Sequence, residues 1–354
     1  MREILKKYSG VIYIALMTAV IVVVLNCTNE MGQIFEALRS MDPRWLCCAG
    51  AGIVLYVFLR AATIRFYLMR RGHRVSWRSA GGVTGAGQFY SAITPSSSGG
   101  QPMQVVWLRR LGIPVSLGTA CVCVKFLGFQ MAVLLLGGVM GLANARMVNE
   151  QLIGFRWLVV LGYLVNAALI MAVLFTIPRT RVVDRMSWAV IRLGEKLRLV
   201  KNREETFERF QKMVKEYRDA LLQLLHTPLD AVVIFALSIM QVLSYMGVVV
   251  CLYHAFVLTG VPAQRILTMQ LMLFIAAAFI PLPGAAGAQE SGFCIFFRGI
   301  FPDSGLMAAM VCWRFFSYYL LILLGLIMMA AARIHRKERR QDPKENSEKS
   351  DFPY

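Results

Sequence analysis

Ionisable residues occur within the apolar stretches of this sequence, among them Lys125, Glu290 and Arg314. Lys125 and Arg314 fall in the apolar runs 114–142 and 305–332, each roughly 15 Å deep at about 1.5 Å per helical residue. A cation at that depth costs at least about 2.5 kcal/mol of insertion free energy, so it is a candidate functional group. Two interpretations stay open. Glu290 forms a salt bridge with Arg314 or Lys125 that holds two halves of the protein together, or these groups bind a lipid phosphate or exchange protons during transport.

Two further apolar regions, 80–110 and 266–300, are interrupted by Pro, Gly and Ser, and both contain the pattern P-x-x-x-G-x-Q, at Pro95 and at Pro283. Irregular backbone survives at membrane depth only inside protein or beside a water-filled cavity, because unpaired backbone groups cost several kcal/mol each in lipid. A helix that begins after such an interruption directs free N–H groups and a positive dipole end towards the cavity, which suits an anionic phosphate. The alternative is that the nearby hydroxyl groups only cap the helix ends.

A second pair of motifs supports an internal repeat. The segments Val122–Phe126 and Val311–Phe315 share V-C-x-[KR]-F, and their separation differs by one residue from that between the two proline motifs. The apolar runs around the two copies are expected to cross the membrane in opposite directions. The sequence therefore predicts an inverted repeat, an arrangement typical of transporters. The alternative is a repeat that serves only as a scaffold.

The elements that position these residues are membrane helices. The chain has 354 residues, of which 57% are hydrophobic and only 16% charged, whereas soluble domains carry about 25% charged residues. The fold class predicted is an all-α polytopic membrane protein, an inverted repeat with about six full spans and two re-entrant helical hairpins. The spans are expected near 8–26, 44–68, 114–142, 156–177, 229–258 and 305–332.

The net charge of +18 is concentrated in loops. Basic residues cluster in 70–78, in 178–218 and in the tail from Arg333 onward, so the positive-inside rule places these segments and both termini in the cytoplasm. This distribution argues against a nucleic-acid-binding face. We expect a multi-pass protein of the bacterial plasma membrane that contacts an anionic membrane surface. The sequence contains no nucleotide-binding P-loop and no metal-ligand spacing, so we expect no cofactor and no metal.

The domain boundaries follow from the same pattern. Residues 1–335 form one membrane domain, with repeat one at about 5–143 and repeat two at about 156–332. The amphipathic insert 178–227 either lies on the anionic leaflet or packs against the helix bundle. Residues 336–354 are polar and are expected to form a disordered cytoplasmic tail.

The candidate lipid-headgroup and transport residues lie in the two interruptions, at the two deep cations and at one deep arginine of the span 44–68. They are Thr94, Pro95, Ser96, Ser97, Ser98, Gly99, Gly100, Gln101, Arg60, Lys125, Pro283, Gly284, Gly287, Gln289, Glu290 and Arg314.

The two interrupted motifs carry a family resemblance. Pro95–Pro102 (PSSSGGQP) and Pro281–Glu290 (PLPGAAGAQE) resemble the two signature segments of the flippase-like membrane domain of lysylphosphatidylglycerol synthases. The resemblance covers about 5–335, and it departs from the family where Ala285 replaces a frequent second glycine. It implies that the protein moves lysylphosphatidylglycerol or a related phospholipid between leaflets, which contributes to resistance against cationic antimicrobial peptides.

The resemblance also implies two alternatives. Full-length synthases carry a tRNA-dependent transferase domain, which the sequence up to Tyr354 does not contain, so we expect no enzymatic activity from the chain by itself. The first alternative is the membrane part of a phosphatidylglycerol lysyltransferase, acting alone or with a separate synthase partner. The second is a scaffold for envelope assembly. A homo-oligomer is compatible with all of these functions.

Overall fold

The computed structural model describes Glu36 and residues 38–94, 97–176, 227–277, 285 and 287–341. Over these residues the chain is helical and contains no β-strand, apart from one isolated bridge between Arg298 and Phe301. Within the described ranges, four helices are long and apolar enough to cross a membrane: Pro43–Met69, Val115–Ala143, Pro228–Ala255 and Asp303–Ile334. The protein is therefore an α-helical membrane protein, as the sequence predicted.

The described part of the first half of the bundle, from Glu36 onward, contains four helices. They are α1 (Pro43–Met69), α2 (Trp77–Ala92), α3 (Gly100–Arg110) and α4 (Val115–Ala143). Helix α1 begins where Asp42 accepts a hydrogen bond from the backbone N–H of Arg44 at 2.9 Å and Pro43 supplies a favourable first residue. Helix α2 ends at Ala92, shortly before Pro95, because the residue preceding a proline is disfavoured in helical conformation.

The second half repeats this order of long and short helices. Two connecting helices come first, α5 (Ala145–Gln151) and α6 (Arg156–Thr176). They are followed by α7 (Pro228–Met246), α8 (Val248–Ala255), α9 (Ala263–Ala277), α10 (Ala288–Phe296), α11 (Asp303–Arg314), a π-helical turn (Phe315–Tyr319) and α12 (Leu320–Gln341). Each half thus has a long segment, a short helix, an interruption, a second short helix and another long segment.

The two halves pack into each other. Helix α2 packs along α12, α1 packs along α7 and α8, and α9 packs between α4 and α6. The α2–α12 contact depends on small residues, because a Cβ atom added to Gly85 would lie 2.5 Å from the carbonyl oxygen of Gly325. Such close backbone approach through glycine is common between membrane helices.

The outward faces of the long helices are apolar. Large exposed hydrophobic side chains include Phe58 on α1, Leu135 on α4, Val232 on α7 and Leu326 on α12. A soluble monomer rarely exposes extended apolar surface, whereas a bilayer covers it. This distribution agrees with the membrane assignment.

Some predicted segments are only partly described. The span expected at 8–26 and the insert at 178–227 lie outside the described residues, except for Thr227. The span expected at 156–177 corresponds to α6. Its apolar part, Arg156–Ala168, is shorter than the four helices of membrane-spanning length. Helix α12 continues to Gln341, so the first residues of the segment expected to be a disordered tail are helical.

Candidate functional site

A cavity of about 610 Å³ lies between the two halves. Its wall is formed by residues from α1, α2, α3, α4, α6, α7 and α9, from the two interruptions, from α10 and from the segment α11–α12. Three cationic side chains line it: Arg60 of α1, Lys125 of α4 and Arg314 of α11. A polar cavity with three cations, surrounded by helices of membrane-spanning length, is the main candidate site among the described residues.

Thr94 connects the two ends of the first interruption. Its hydroxyl donates to the carbonyl oxygen of Tyr90 at 2.6 Å and accepts from the backbone N–H of Gly99 at 2.9 Å, which joins the end of α2 to the start of α3. Ser97 has a positive φ of 54°. The capping interpretation therefore applies to Thr94. The cavity is lined by four other residues of this region: Ser97, Ser98, Gly100 and Gln101.

Helices α2 and α3 approach each other closely at Gly87. A Cβ atom on Gly87 would lie 2.1 Å from Nε2 of Gln104, and one on Gly100 would lie 1.9 Å from Oγ of Ser91. A larger residue at either position would force the facing side chain to move. The two glycines therefore allow α3 to place Gln104 between α2 and α4.

Gln104 is the partner of the deep lysine. Lys125 Nζ donates to Oε1 of Gln104 at 2.5 Å, and the two residues are only 5% and 1% exposed. Arg60 is half-buried and donates from Nη1 to the hydroxyl of Tyr56 at 2.5 Å. Neither Lys125 nor Arg60 forms a salt bridge among the described residues, so neither side chain has a carboxylate partner there.

The second interruption ends in a network centred on Glu290. Gly287, at φ 82°, precedes α10, and its backbone N–H donates to Oε2 of Glu290 at 2.6 Å. Oε1 of Glu290 accepts from Nε of Arg314 at 2.5 Å, and Oε1 of Gln289 accepts from Nη1 of the same guanidinium group at 2.9 Å. The carboxylate thus fixes the start of α10 and neutralises the cation of α11.

The sequence left the partner of Glu290 open between Arg314 and Lys125, and the structure shows Arg314. The two residues belong to α10 and α11, so the salt bridge lies within the second half and does not join the halves. Lys125 is likewise bound to a residue of its own half. In both halves the short helix after the interruption supplies an acceptor to the cation of the next long helix. The acceptor is a neutral amide in the first half, and a carboxylate with an amide in the second.

A π-helical turn follows Arg314 directly. Its distorted backbone allows the carbonyl oxygen of Ser317 to accept a hydrogen bond from the hydroxyl of Tyr245 at 3.3 Å. The hydroxyl of Tyr318 donates to the carbonyl oxygen of Ala92 at 3.0 Å, and the Tyr318 ring centroid lies 4.8 Å from the Arg314 guanidinium carbon. Turns of this kind are frequent at functional sites. This one links Arg314 to the end of α2 and to α7.

Several cavity residues were not identified from the sequence. They are mostly amides within apolar helices: Gln88, Gln104, Gln130, Asn166 and Gln241. Gln130 donates to Asn166, and Gln241 donates to Thr63 at 2.9 Å. A polar residue within an apolar span was the available signal, because such residues usually face the bundle interior.

The predicted site residues fall into three groups. Those that line the cavity are Arg60, Ser97, Ser98, Gly100, Gln101, Lys125, Gln289 and Arg314. Those that organise the helix starts around it are Thr94, Gly99, Gly287 and Glu290. Those outside the described residues are Pro95, Ser96, Pro283 and Gly284.

Comparison with known proteins places this architecture among membrane proteins. The family described as "Lysylphosphatidylglycerol synthase TM region" matches residues 10–325. The chain is also 22% identical over 307 residues to a protein of Archaeoglobus fulgidus named "UPF0104 membrane protein". That alignment covers 83% of this chain and 88% of the archaeal protein. The family match includes both interruptions.

Proposed function

Because this chain belongs to the lysylphosphatidylglycerol synthase TM region family, we propose that it is a lipid transporter that moves phospholipid between the two leaflets of a membrane. One observation carries the proposal. A cavity of about 610 Å³, lined by Arg60, Lys125 and Arg314, lies among helices long enough to span the bilayer. Charged groups at such depth stabilise a polar ligand that lipid tails alone would exclude.

The dimensions and lining of the cavity suit a phospholipid headgroup. Its volume falls within the range of about 300–1,000 Å³ that is typical of small-molecule sites. One part of the wall is cationic and hydroxylated, whereas another part is aromatic, with the Phe129 and Phe274 rings 6.1 Å apart. A headgroup would contact the polar wall, and the first segments of its acyl chains would contact the aromatic wall.

The order of helices supports the inverted repeat on which transport would depend. The α2–α3 pair and the α9–α10 pair each pack together around an interruption, and each pair precedes a long segment that carries a cation. We interpret them as two re-entrant hairpins that enter the bilayer from opposite faces and meet at the cavity. Rocking one half against the other would then expose a central site to each leaflet in turn.

For the orientation of the protein in the membrane, we keep the prediction from the distribution of basic residues. Basic loops and both termini would lie in the cytoplasm of a bacterial cell, next to the anionic inner leaflet. Movement of lipid from this leaflet to the outer one would change the charge of the cell surface. Resistance to cationic antimicrobial peptides would follow only if the lipid moved outward carried a net positive charge, as lysylphosphatidylglycerol does.

A leaflet-exchange assay tests the proposal. Purified protein is reconstituted into liposomes that contain a fluorescent phospholipid, and dithionite added outside reveals how much probe reaches the outer leaflet. We expect exchange with the wild-type protein, strongly reduced exchange with Lys125→Gln, and unchanged exchange with Arg146→Gln. Arg146 is a suitable control, because its side chain is 93% exposed and pairs only with Glu150 through a surface contact.

Two results would contradict the proposal. The first is wild-type exchange no faster than in protein-free liposomes. The second is formation of lysyl-lipid when the purified protein receives lysyl-tRNA and phosphatidylglycerol, which would make the chain an aminoacyl transferase.

A further inference from the structure

We infer that the cavity selects lipids whose headgroup is a net anion, a phosphate with neutral hydroxylated substituents, and rejects net cationic headgroups such as that of lysylphosphatidylglycerol. The inference rests on the proposed function, because it names the substrate class of the same cavity. It is carried by the charges of the lining residues and by hydrogen-bond donors that lack an acceptor.

The described wall of the cavity is rich in basic residues. Arg60, Lys125 and Arg314 line it, and no aspartate or glutamate is among its described lining residues. Glu290, which is not a lining residue, forms a salt bridge with Arg314. Arg60 and Lys125 therefore have no acidic partner among the described residues.

The lining also contains buried hydrogen-bond donors that have no partner among the described residues. Nε of Arg60 and Nε2 of Gln104 are buried and have no hydrogen-bond partner in the described part of the chain, as is also true of the Ser317 hydroxyl. The amide orientation of Gln104 is fixed, because Lys125 can only donate and must face the amide oxygen. The two nitrogen atoms are donors only. A phosphate oxygen satisfies them, whereas the ammonium groups of a lysyl substituent are donors themselves and would be repelled by the Arg60 guanidinium group.

The two halves differ in the group that accepts a hydrogen bond from the basic side chain, and this difference predicts where a phosphate would bind. In the second half, the cation already has a carboxylate partner, so an added phosphate would compete with Glu290. In the first half, the cation has only a neutral amide. The phosphate is therefore expected beside Lys125 and Arg60. The hydroxyl and amide groups of Ser97, Ser98 and Gln101, which line the same cavity, would bind a glycerol or sugar substituent.

One substitution tests the charge argument with little change of shape. Gln104→Glu would place a carboxylate at the amide oxygen that faces Lys125 and reproduce the arrangement of Glu290 with Arg314. Arg146→Gln is the matched control, because it lowers the net charge by the same amount at a 93% exposed side chain. Lys125→Gln removes the cation directly and provides a second variant if Gln104→Glu does not fold.

The measurement is calorimetric binding of short-chain lipids to the purified protein in non-ionic detergent. The probes are dioctanoyl phosphatidylglycerol, its lysyl derivative and soluble glycerol 3-phosphate. A charge-assisted hydrogen bond changes affinity by roughly ten- to a hundredfold, so we expect phosphatidylglycerol to bind at least about tenfold more tightly than the lysyl lipid. Gln104→Glu and Lys125→Gln should each weaken phosphatidylglycerol binding by about tenfold or more. Arg146→Gln should leave both affinities unchanged.

The outcomes separate this inference from the proposed function. Equal or tighter binding of the lysyl lipid would overturn the inference, even if the protein transports lipid. Tighter binding of glycerol 3-phosphate than of phosphatidylglycerol would assign the site to soluble anions and overturn it as well. The expected preference in a protein that exchanges no lipid in liposomes would support the inference and contradict the proposed function.

Discussion

Replacement of Glu290 by glutamine should destabilise the protein by about 2–3 kcal/mol. The carboxylate lies 2.5 Å from Arg314 Nε, and the two side chains are 14% and 5% exposed. Removal of one partner of a fully buried ion pair costs about 3–5 kcal/mol, because the other charge stays buried without compensation. We place the expected loss below that range, because Gln289 still accepts from Arg314 and the guanidinium group borders a polar cavity.

A double-substitution cycle shows whether this loss comes from the ion pair. Arg314→Leu removes the cation, and in the double variant Glu290→Gln/Arg314→Leu no charge is left without a partner. The double variant should therefore lose less stability than the sum of the two single variants, with a coupling energy of about 1–3 kcal/mol. The glutamine oxygen can still accept from the backbone N–H of Gly287, so the start of α10 is kept.

The assay is equilibrium unfolding of the detergent-solubilised protein by sodium dodecyl sulfate, followed by circular dichroism. Arg146→Gln should stay within about 0.5 kcal/mol of the wild-type free energy of unfolding, as most surface substitutions do. Two results would refute the reasoning about the network. One is a Glu290→Gln variant as stable as the control, and the other is strict additivity in the double variant.

Three further predictions concern the contacts around the cavity. Gly87→Ala should displace Gln104, because a Cβ atom there would lie 2.1 Å from Nε2; leaflet exchange should fall severalfold, and an unchanged rate would contradict this. Gly85→Leu should separate α2 from α12 and lower the melting temperature in detergent. The control is Gly112→Leu, at a glycine with positive φ where no atom lies within 4 Å of an added Cβ, and its melting temperature should fall less. Equal losses would contradict the packing argument. Tyr318→Phe should lose about 1 kcal/mol of unfolding free energy with its hydrogen bond to Ala92, and no loss in chemical unfolding would show that this bond is not formed.

The sequence predicted those features that follow from the cost of burying polar groups. The interruptions were recognisable, because proline and glycine cannot continue a helix at Pro95 or Pro283. That Glu290 would pair with Arg314 or Lys125 was predictable for a related reason, because a buried cation needs a partner, but the sequence did not decide between the two cations.

Features that depend on three-dimensional register were not predictable. Gln104 reaches Lys125 only because α2 and α3 approach each other at Gly87, and no periodicity in the sequence reveals that contact. The π-helical turn after Arg314 lies in a continuous apolar run, where a change of hydrogen-bond register leaves no compositional trace. The expectation that the salt bridge joins the two halves was wrong, because helices adjacent in sequence placed both of its residues in one half.

Photo-crosslinking tests most directly whether lipid occupies the cavity. A phospholipid with a diazirine group at its headgroup is incorporated into liposomes that contain the protein, and the crosslinked peptides are identified by mass spectrometry. Our account predicts crosslinks to α3 and α4 around Gln101 and Lys125, and their loss in Lys125→Gln. Crosslinks confined to outward-facing residues such as Phe58 and Leu135, equally strong in the variant, would contradict it.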